Sequence, residues 1–398
     1  MVVVQINLTC SWGSTGKICD SVSKLLTQNN IENYVFYTYG DNPQSNANYI
    51  KYGGYVYTKF QALKSRIFGN YGFNSVFATQ NLIKKLDKIM PDIVHIHNIH
   101  GHDCHFSMLF EYLRNKNIKV YYTFHDCWAF TGYCPHFVMA KCDKWKIGCD
   151  KCVLSKKYSW FFDRSASNFV RKAKALSGLD MTIITPSEWL AGLVKQSFLK
   201  DYPVKVINNG INLDVFKPVE SNFREKYGLV NNKIILGVSF GWSVNKGLDV
   251  FIELAKRLSD EYKIVLVGTN GDTDEILPDN IISIHRTNNQ QELAEIYTAA
   301  DVFVNPTREE NYPTVNMEAV ACGTPVLTFR TGGSPEIIDE TCGSVVDCDD
   351  IDAMEREIIR ICTEKPYSKE ACVKKAQEFE QNDRFKEYVD IYERIAKN

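Results

Sequence analysis

No stretch of this 398-residue chain is apolar over the ~18 residues that a membrane-spanning helix needs. Charge of one sign is also lacking. The 46 Lys and Arg nearly balance the 48 Asp and Glu, for a net of −2, so the charge of the whole chain does not point to a nucleic-acid binder. The opening segment MVVVQINLTC has neither a basic leader nor a long apolar core, and it reads as a strand rather than a secretory signal. There is no HExxH or similar spacing for a catalytic metal. A phosphate loop of the form GxxxxGK[ST] is missing too: in CSWGSTGKI, Ser11 and Ile18 occupy positions that need Gly and Ser or Thr.

What remains is an ordinary globular composition, 44% hydrophobic and 24% charged, long enough for two domains. Of the 13 cysteines, most (Cys19, Cys104, Cys322) are scattered within apolar patterns, where a buried reduced thiol is expected. That favours a reducing compartment, so the expected location is the cytoplasm.

Short Val- and Ile-rich runs alternate with helical patterns. Strands are expected at Val2–Leu8, Tyr34–Tyr39, Ile93–His97, Val120–Phe124 and Met181–Thr185. In the second half they are expected at Ile234–Val238, Ile264–Val267, Ile281–Ile284, Val302–Asn305 and Val326–Thr328. Helices are expected between them, at Ile18–Thr27, Leu82–Met90, Leu248–Leu258, Glu292–Ala300 and Met317–Cys322. Strands buried on both faces and separated by helices make parallel, doubly wound α/β sheets. The pattern occurs twice, with a turn-rich boundary near VINNGINLDVFKP. The expected fold is therefore two Rossmann-like domains facing across a cleft, with ligands beyond the carboxyl ends of the strands. The first spans residues 1–205 and carries a Cys-rich, basic insertion at 127–160. The second spans 206–375. Residues 376–398 are read as a helix packing back on the first domain.

Several strand ends carry chemistry. Gly13 and Gly16 in the GSTG turn let the backbone approach a ligand near a helix N-terminus, which favours an anion. The alternative is a plain tight turn. PDIVHIHNIHGHD places His95 and His97 on one strand face and His100 and His102 just beyond it, while YYTFHDCW ends a strand with His125-Asp126. His125 is the candidate to hydrogen-bond sugar hydroxyls, since neutral imidazole both donates and accepts.

The insertion holds Cys134, Cys142, Cys149 and Cys152, spaced C-x7-C-x6-C-x2-C. Four thiolates complete a tetrahedral structural zinc site, with free or transiently oxidised thiols and disulfides as alternatives. Residues 141–176 hold ten Lys and Arg against three Asp, a local +7 that leaves −9 for the rest of the chain. Trp145, Trp160, Phe161, Phe162 and Phe169 are interleaved. Such a stripe suits an anionic membrane surface. The alternatives are a solvated helix face with its aromatics turned inward and, disfavoured by the −9 elsewhere, nucleic acid.

In the second half, GVSFGWSVNKGLDVFIELAKRL puts Lys246 at a helix entrance, where it can neutralise a phosphate. REENYPTVNMEAVACGTPV then sets Glu310 and Glu318 on either side of Pro313. With Ala300-Asp301, Gly323-Thr324-Pro325 and Gly332-Gly333-Ser334-Pro335-Glu336, these pieces resemble the C-terminal half of the retaining, nucleotide-sugar-dependent glycosyltransferases of family 4, which have the GT-B fold. The GSTGKI turn, His97 and HDCWAFTGYC extend the resemblance over nearly the whole chain, toward a branch similar to the colanic-acid-type enzymes of surface-polysaccharide assembly.

The resemblance implies a hexose transferred from a UDP-, GDP- or dTDP-sugar to a glycan acceptor, lipid-linked and extended at the inner membrane surface, with no cofactor required for catalysis. It implies that Lys246 binds the donor diphosphate, Glu310 the sugar hydroxyls and Glu318 the ribose. The backbone of Tyr312, Pro313, Thr314 and Val315 would meet the phosphates, with Pro313 in the helix's first turn. Gly13, Ser14 and Thr15 would approach the donor–acceptor junction, and His125 would contact the donor sugar. The arginine that the family usually carries five residues before the lysine is replaced by Gly241, with Arg286, Arg308 or a main-chain group as possible substitutes. Rival readings are a sugar-nucleotide epimerase, a glycogen-type synthase, a glycoside hydrolase using Glu310 and Glu318 as an acid–base pair, and a zinc-containing adaptor at a membrane.

Overall fold

The computed structural model describes residues 1–40 and 48–396. The chain forms two compact units, Met1–Asn208 with Arg384–Asn398, and Asn209–Asp383.

Among the described residues the first unit is built on seven strands: β1 (Val2–Ile6), β2 (Glu32–Tyr37), β3 (Tyr49–Lys51), β4 (Ile93–Ile96), β5 (Lys119–Thr123), β6 (Met181–Thr185) and β7 (Val204–Val206). All pairs are parallel, in the order β3-β2-β1-β4-β5-β6-β7. Successive side chains point to opposite faces. Val4 and Ile6 therefore enter one core, while Val3 enters another. That second core is closed by Ile18, Val22 and Leu26 of α1 (Gly13–Gln28) and by Phe385, Tyr388, Val389 and Tyr392 of the C-terminal helix (Gln381–Ala396). Burying an apolar side chain of this size contributes about 1.5–3 kcal/mol. Of the tail segment read as a helix over 376–398, residues 397–398 lie outside the described residues.

The second unit has six parallel strands: β8 (Lys233–Val238), β9 (Tyr262–Val267), β10 (Ile281–Ile284), β11 (Val302–Asn305), β12 (Val326–Phe329) and β13 (Gly343–Val346), in the order β10-β9-β8-β11-β12-β13. Ile234 and Leu236 face one core and Ile235 the other. Each sheet reverses its winding once, between β1 and β4 and between β8 and β11. Crevices outside the carboxyl ends of such strand pairs are where doubly wound sheets bind ligands.

Candidate active site

In the second unit the switch point is dressed by two loops. After β8 the chain makes a 3₁₀ turn, Val244–Lys246, and enters α4 (Leu248–Arg257; α2 is Tyr55–Phe68 and α3 is Ser165–Leu176) through Gly247 at φ +74°. A Cβ on Gly247 would lie 2.4 Å from the Pro306 carbonyl, so only glycine lets this loop touch the end of β11. There Lys246 Nζ donates to Glu310 Oε2 at 2.6 Å. Glu310 also accepts from the Asn311 amide at 3.2 Å. The neighbouring carboxylate, Glu309, accepts from Asn245 Nδ2 at 2.8 Å and so clamps the same loop. Gly332 and Gly333 buttress Glu310 from behind, and the Gly333 amide donates to the Asn311 carbonyl at 2.9 Å.

Glu318 stands apart from that ion pair. It lies on α6 (Thr314–Ala321) and accepts from Tyr297 Oη at 3.1 Å, on α5 (Gln290–Ala299). Burial, reinforced by the Glu318 charge, holds the Tyr297 phenol well above its ordinary pKa, so it stays a donor. Pro313 occupies the N-cap, one position earlier than expected, because its ψ of 114° is extended and the helix begins at Thr314. Tyr312 and Pro313 are buried, while Thr314 and Val315 are half-buried. Helix geometry leaves the Thr314 and Val315 N–H groups without intrahelical acceptors, while the Asn316 amide donates to the Pro313 carbonyl at 3.2 Å. The helix is tied to β11 through Asn305 Nδ2, which donates to Asn316 Oδ1 at 2.7 Å.

At Gly241 nothing lies within 4 Å of the position a Cβ would take, but its φ of +159° is one that other residues rarely adopt. Arg308 is committed elsewhere. Its guanidinium grips Asp249 through two bonds of 2.8 Å and Asp349 at 2.6 Å, and it donates to the Val244 carbonyl. It thus shapes the Lys246 turn from outside. Arg286 is exposed after β10, an edge strand two positions from β8, or roughly 10 Å at the usual strand spacing.

In the first unit, α1 starts at Gly13 rather than Ile18, so Gly13, Ser14 and Thr15 form its first turn. Asn7, fully buried after β1, organises this region. Its Nδ2 donates to the Thr9 carbonyl at 2.9 Å and to Thr15 Oγ1 at 3.4 Å, and its Oδ1 accepts from the Asn98 amide at 3.1 Å. It therefore joins the GSTG turn to the loop after β4. His97 and His125 share a 3.2 Å hydrogen bond between Nδ1 and Nε2 and stack at 5.4 Å. Burial holds His97 well below its usual pKa, with His95 and His125 adding to it. Burial also lowers His125 to about 4, against the opposing Asp126 charge. Both rings are neutral near pH 7. His97 Nε2 is a buried polar atom without a hydrogen-bond partner, in a cavity lined also by Asn98, His100, His125 and Asp126. His100 pairs with Asp126 at 2.8 Å. Burial raises the Asp126 carboxyl, but His100 and further donors outweigh it and hold the group at about 2. His95 is structural: its Nε2 bonds Thr123 Oγ1 at 2.8 Å and its Nδ1 bonds Tyr392. His102 bonds Ser65 Oγ at 3.0 Å.

The basic, aromatic stripe divides in two. Trp145, Phe169 and Lys172 are buried, whereas Trp160, Phe161 and Phe162 are exposed. Cys134, Cys142, Cys149 and Cys152 line one cavity. Among the described residues, no group of three or more His, Cys, Asp or Glu side chains stands ready to hold a metal ion, so the tetrahedron expected from the spacing is not closed.

The comparisons with known proteins agree with this architecture. Residues 16–215 match the model of Glycosyltransferase Family 4, and residues 219–384 match that of Glycosyl transferases group 1. The putative colanic acid biosynthesis glycosyl transferase WcaC of Escherichia coli K12 is 21% identical, over 99% of this chain and 100% of its own. Sucrose-phosphate synthase of Thermosynechococcus elongatus superposes with a TM-score of 0.72 at 17% identity, covering 99% of this chain and 98% of its own. Anabaena Alr3699/HepE in complex with UDP-glucose superposes at 0.68 with 14% identity, covering 98% and 99%. Two parallel-sheet α/β units with dressed switch points define a glycosyltransferase of GT-B fold. The chain belongs to glycosyltransferase family 4 and is related to enzymes of surface-polysaccharide synthesis.

Proposed function

We propose that this enzyme transfers a hexose, with retention of anomeric configuration, from a nucleotide sugar to a lipid-linked glycan of a bacterial surface polysaccharide. The carrying observation is the Lys246–Glu310 ion pair of 2.6 Å just before the N-terminus of α6. The diphosphate of an arriving donor competes for Lys246 and for the first-turn amides of α6, which frees Glu310 to accept from sugar hydroxyls. Glu318, oriented by Tyr297, takes the ribose hydroxyls. The UDP-glucose held by the Anabaena neighbour makes a uridine nucleotide the first donor to try, ahead of GDP- and dTDP-sugars.

The C1–O bond to the leaving phosphate breaks as the acceptor oxygen bonds to C1 on the same face. The acceptor proton passes to the departing phosphate oxygen. Fixed positive groups aimed at the developing phosphate charge supply the catalysis, and no metal step is needed. Within the first unit, His125 is a neutral ring held by His97 and suited to a sugar hydroxyl, and Gly13, Ser14 and Thr15 supply the first-turn amides of α1.

The acceptor's lipid places the reaction at the cytoplasmic face of the membrane. One surface suits it. Helix α2 buries polar Thr58, Gln61 and Ser65 and exposes Val56, Phe60, Leu63 and Phe68. The Trp160 amide donates to the Arg66 carbonyl at 2.6 Å, which joins Trp160, Phe161 and Phe162 to the same face. Lys59, Lys156, Lys157 and Arg164 are exposed around it. Incubating the enzyme with labelled nucleotide sugars and a lipid-linked glycan extract tests the reading. It requires release of nucleoside diphosphate, a lengthened glycan with the donor's anomeric configuration by NMR, and activity that survives brief EDTA treatment. An inverted product, or an epimerised nucleotide sugar without transfer, contradicts it.

A further inference from the structure

The segment between β5 and α3 contains a site that glycosyl transfer does not use. Apart from short helical turns it has no regular structure, yet it is built like a core. Trp145, fully buried, packs between Phe130 at 5.4 Å and Phe137 at 5.0 Å. Long irregular segments inside compact domains are uncommon, and small loop-rich folds usually need a covalent or metal staple.

Four cysteines meet at this core. Cys134, Cys142, Cys149 and Cys152 line one cavity of about 20 Å³. The thiols of Cys134 and Cys152 are in hydrogen-bond contact. Two backbone amides are aimed at sulfur: Gly132 N–H donates to Cys149 Sγ at 3.2 Å, and Leu154 N–H to the Cys152 sulfur. The first contact needs glycine, because a Cβ on Gly132 would lie 2.5 Å from the Ser165 carbonyl. Amide donors of this kind support thiolates rather than thiols.

A buried lysine lies beside the cluster. Lys172 is fully buried and donates to the carbonyls of Trp128 at 2.6 Å and Thr131 at 3.0 Å. Burial holds the Lys172 ammonium well below the ordinary lysine pKa, and neighbouring negative charge opposes that shift. The acidic groups within its electrostatic reach are Cys149, Asp126 and Cys134, and Asp126 is already paired with His100.

We propose that Cys134, Cys142, Cys149 and Cys152 bind one structural zinc ion as four thiolates, with Lys172 balancing part of the negative charge of the resulting cluster. Among the described residues no three ligand side chains converge closely enough to hold an ion, so binding requires the four cysteines to close further on the cavity they line. Four protein ligands leave no open position, so the ion fastens the insertion and takes no part in the reaction. Binding replaces four S–H protons by four metal–sulfur bonds, and the protons leave to solvent.

The test is metal content by plasma mass spectrometry on the full chain purified under reducing conditions. The expected result is about one zinc per chain, released in step with mercurial modification of the cysteines. Cys149→Ala with Cys152→Ala should lose the zinc, while Cys348→Ser, at an exposed cysteine outside the cluster, should retain it. If the double variant does not fold, wild-type protein loaded with cobalt(II) decides. Intense visible bands with thiolate charge transfer in the ultraviolet support the site, and a spectrum of oxygen-ligated cobalt overturns it. Absence of zinc from the wild type, zinc retained by a folded double variant, or a native Cys134–Cys152 disulfide found by mass spectrometry also overturns it.

Discussion

Gly332 stands where a single methyl group cannot fit. Its φ is +55°, and a Cβ there would lie 1.7 Å from the Glu310 carbonyl oxygen. Gly332→Ala must push the Glu310 loop away from Lys246. We expect it to cost about 1–3 kcal/mol of stability and to weaken donor binding, read as a lower Tm and a raised KM. Tyr297→Phe asks a narrower question. It removes the 3.1 Å bond that orients Glu318 while keeping the ring. A hydrogen bond to a charged group contributes about 1.5–3 kcal/mol. The expected result is a donor KM raised on the order of tenfold, with kcat nearly unchanged, in steady-state kinetics. Lys246, Glu310 and Glu318 are legible in the sequence because they stand at recognisable positions in contiguous motifs. Asn7, Tyr297, Asn305 and Glu309 are not. Their partners Asn98, Glu318, Asn316 and Asn245 lie 91, 21, 11 and 64 residues away, and only the sheet brings them together.

At the scale of elements, burial decides what the chain reveals. Central strands such as β6, β11 and β12 read clearly as apolar runs. The edge strands β3 and β7 do not, because three residues with partial exposure leave no run to see. Helix α1 begins earlier than its pattern suggests, since its first four residues include Gly13 and Gly16, poor helix formers. Helix α2 is hidden for a different reason: it carries its polar residues inward and its apolar ones outward. That inversion has a consequence for membranes. Phe60→Ser combined with Phe161→Ser and Phe162→Ser should reduce co-sedimentation with vesicles containing phosphatidylglycerol by more than about tenfold, since each lost aromatic forfeits about 1.5–3 kcal/mol of burial. Binding by the parent protein should also fall with added salt. Equal vesicle binding by variant and parent would rule this surface out as the membrane contact.

The ends of β4 and β5 carry a second element-level consequence. Burial holds His95 at about 3, with His125 adding to the shift, and His125 itself at about 4, both below the ordinary 6.5. The unfolded chain therefore binds more protons across this interval, and stability is lost as pH falls from 6.5 toward 4. The facing groups are Tyr388 and Tyr392 beside His95 and the His100–Asp126 pair beside His125. Asp126, held near 2, loses its own contribution only at lower pH. Tm measured from about pH 7.5 down to about 4.5 should drop steadily, and more slowly in His125→Asn if that variant folds.

For the molecule as a whole, two doubly wound units are readable from alternating strand and helix patterns repeated along the chain. The C-terminal segment, also read as a helix packing back on the first domain, meets it through contacts about 270–300 residues apart that no local pattern shows: Tyr392 meets His95, and the Ile391 carbonyl accepts from Tyr121 at 3.1 Å. The central claim is that Lys246, Glu310 and the start of α6 form a nucleotide-sugar clamp. Thermal shift of the wild type and Lys246→Ala against matched panels of UDP-, GDP- and dTDP-sugars tests it directly. At about 100 times Kd a ligand stabilises by about 2.7 kcal/mol, enough for a clear rise in Tm. The clamp predicts such a rise for at least one nucleotide class in the wild type and its loss in a folded Lys246→Ala. No shift with any nucleotide sugar, or an equal shift in both proteins, would contradict it.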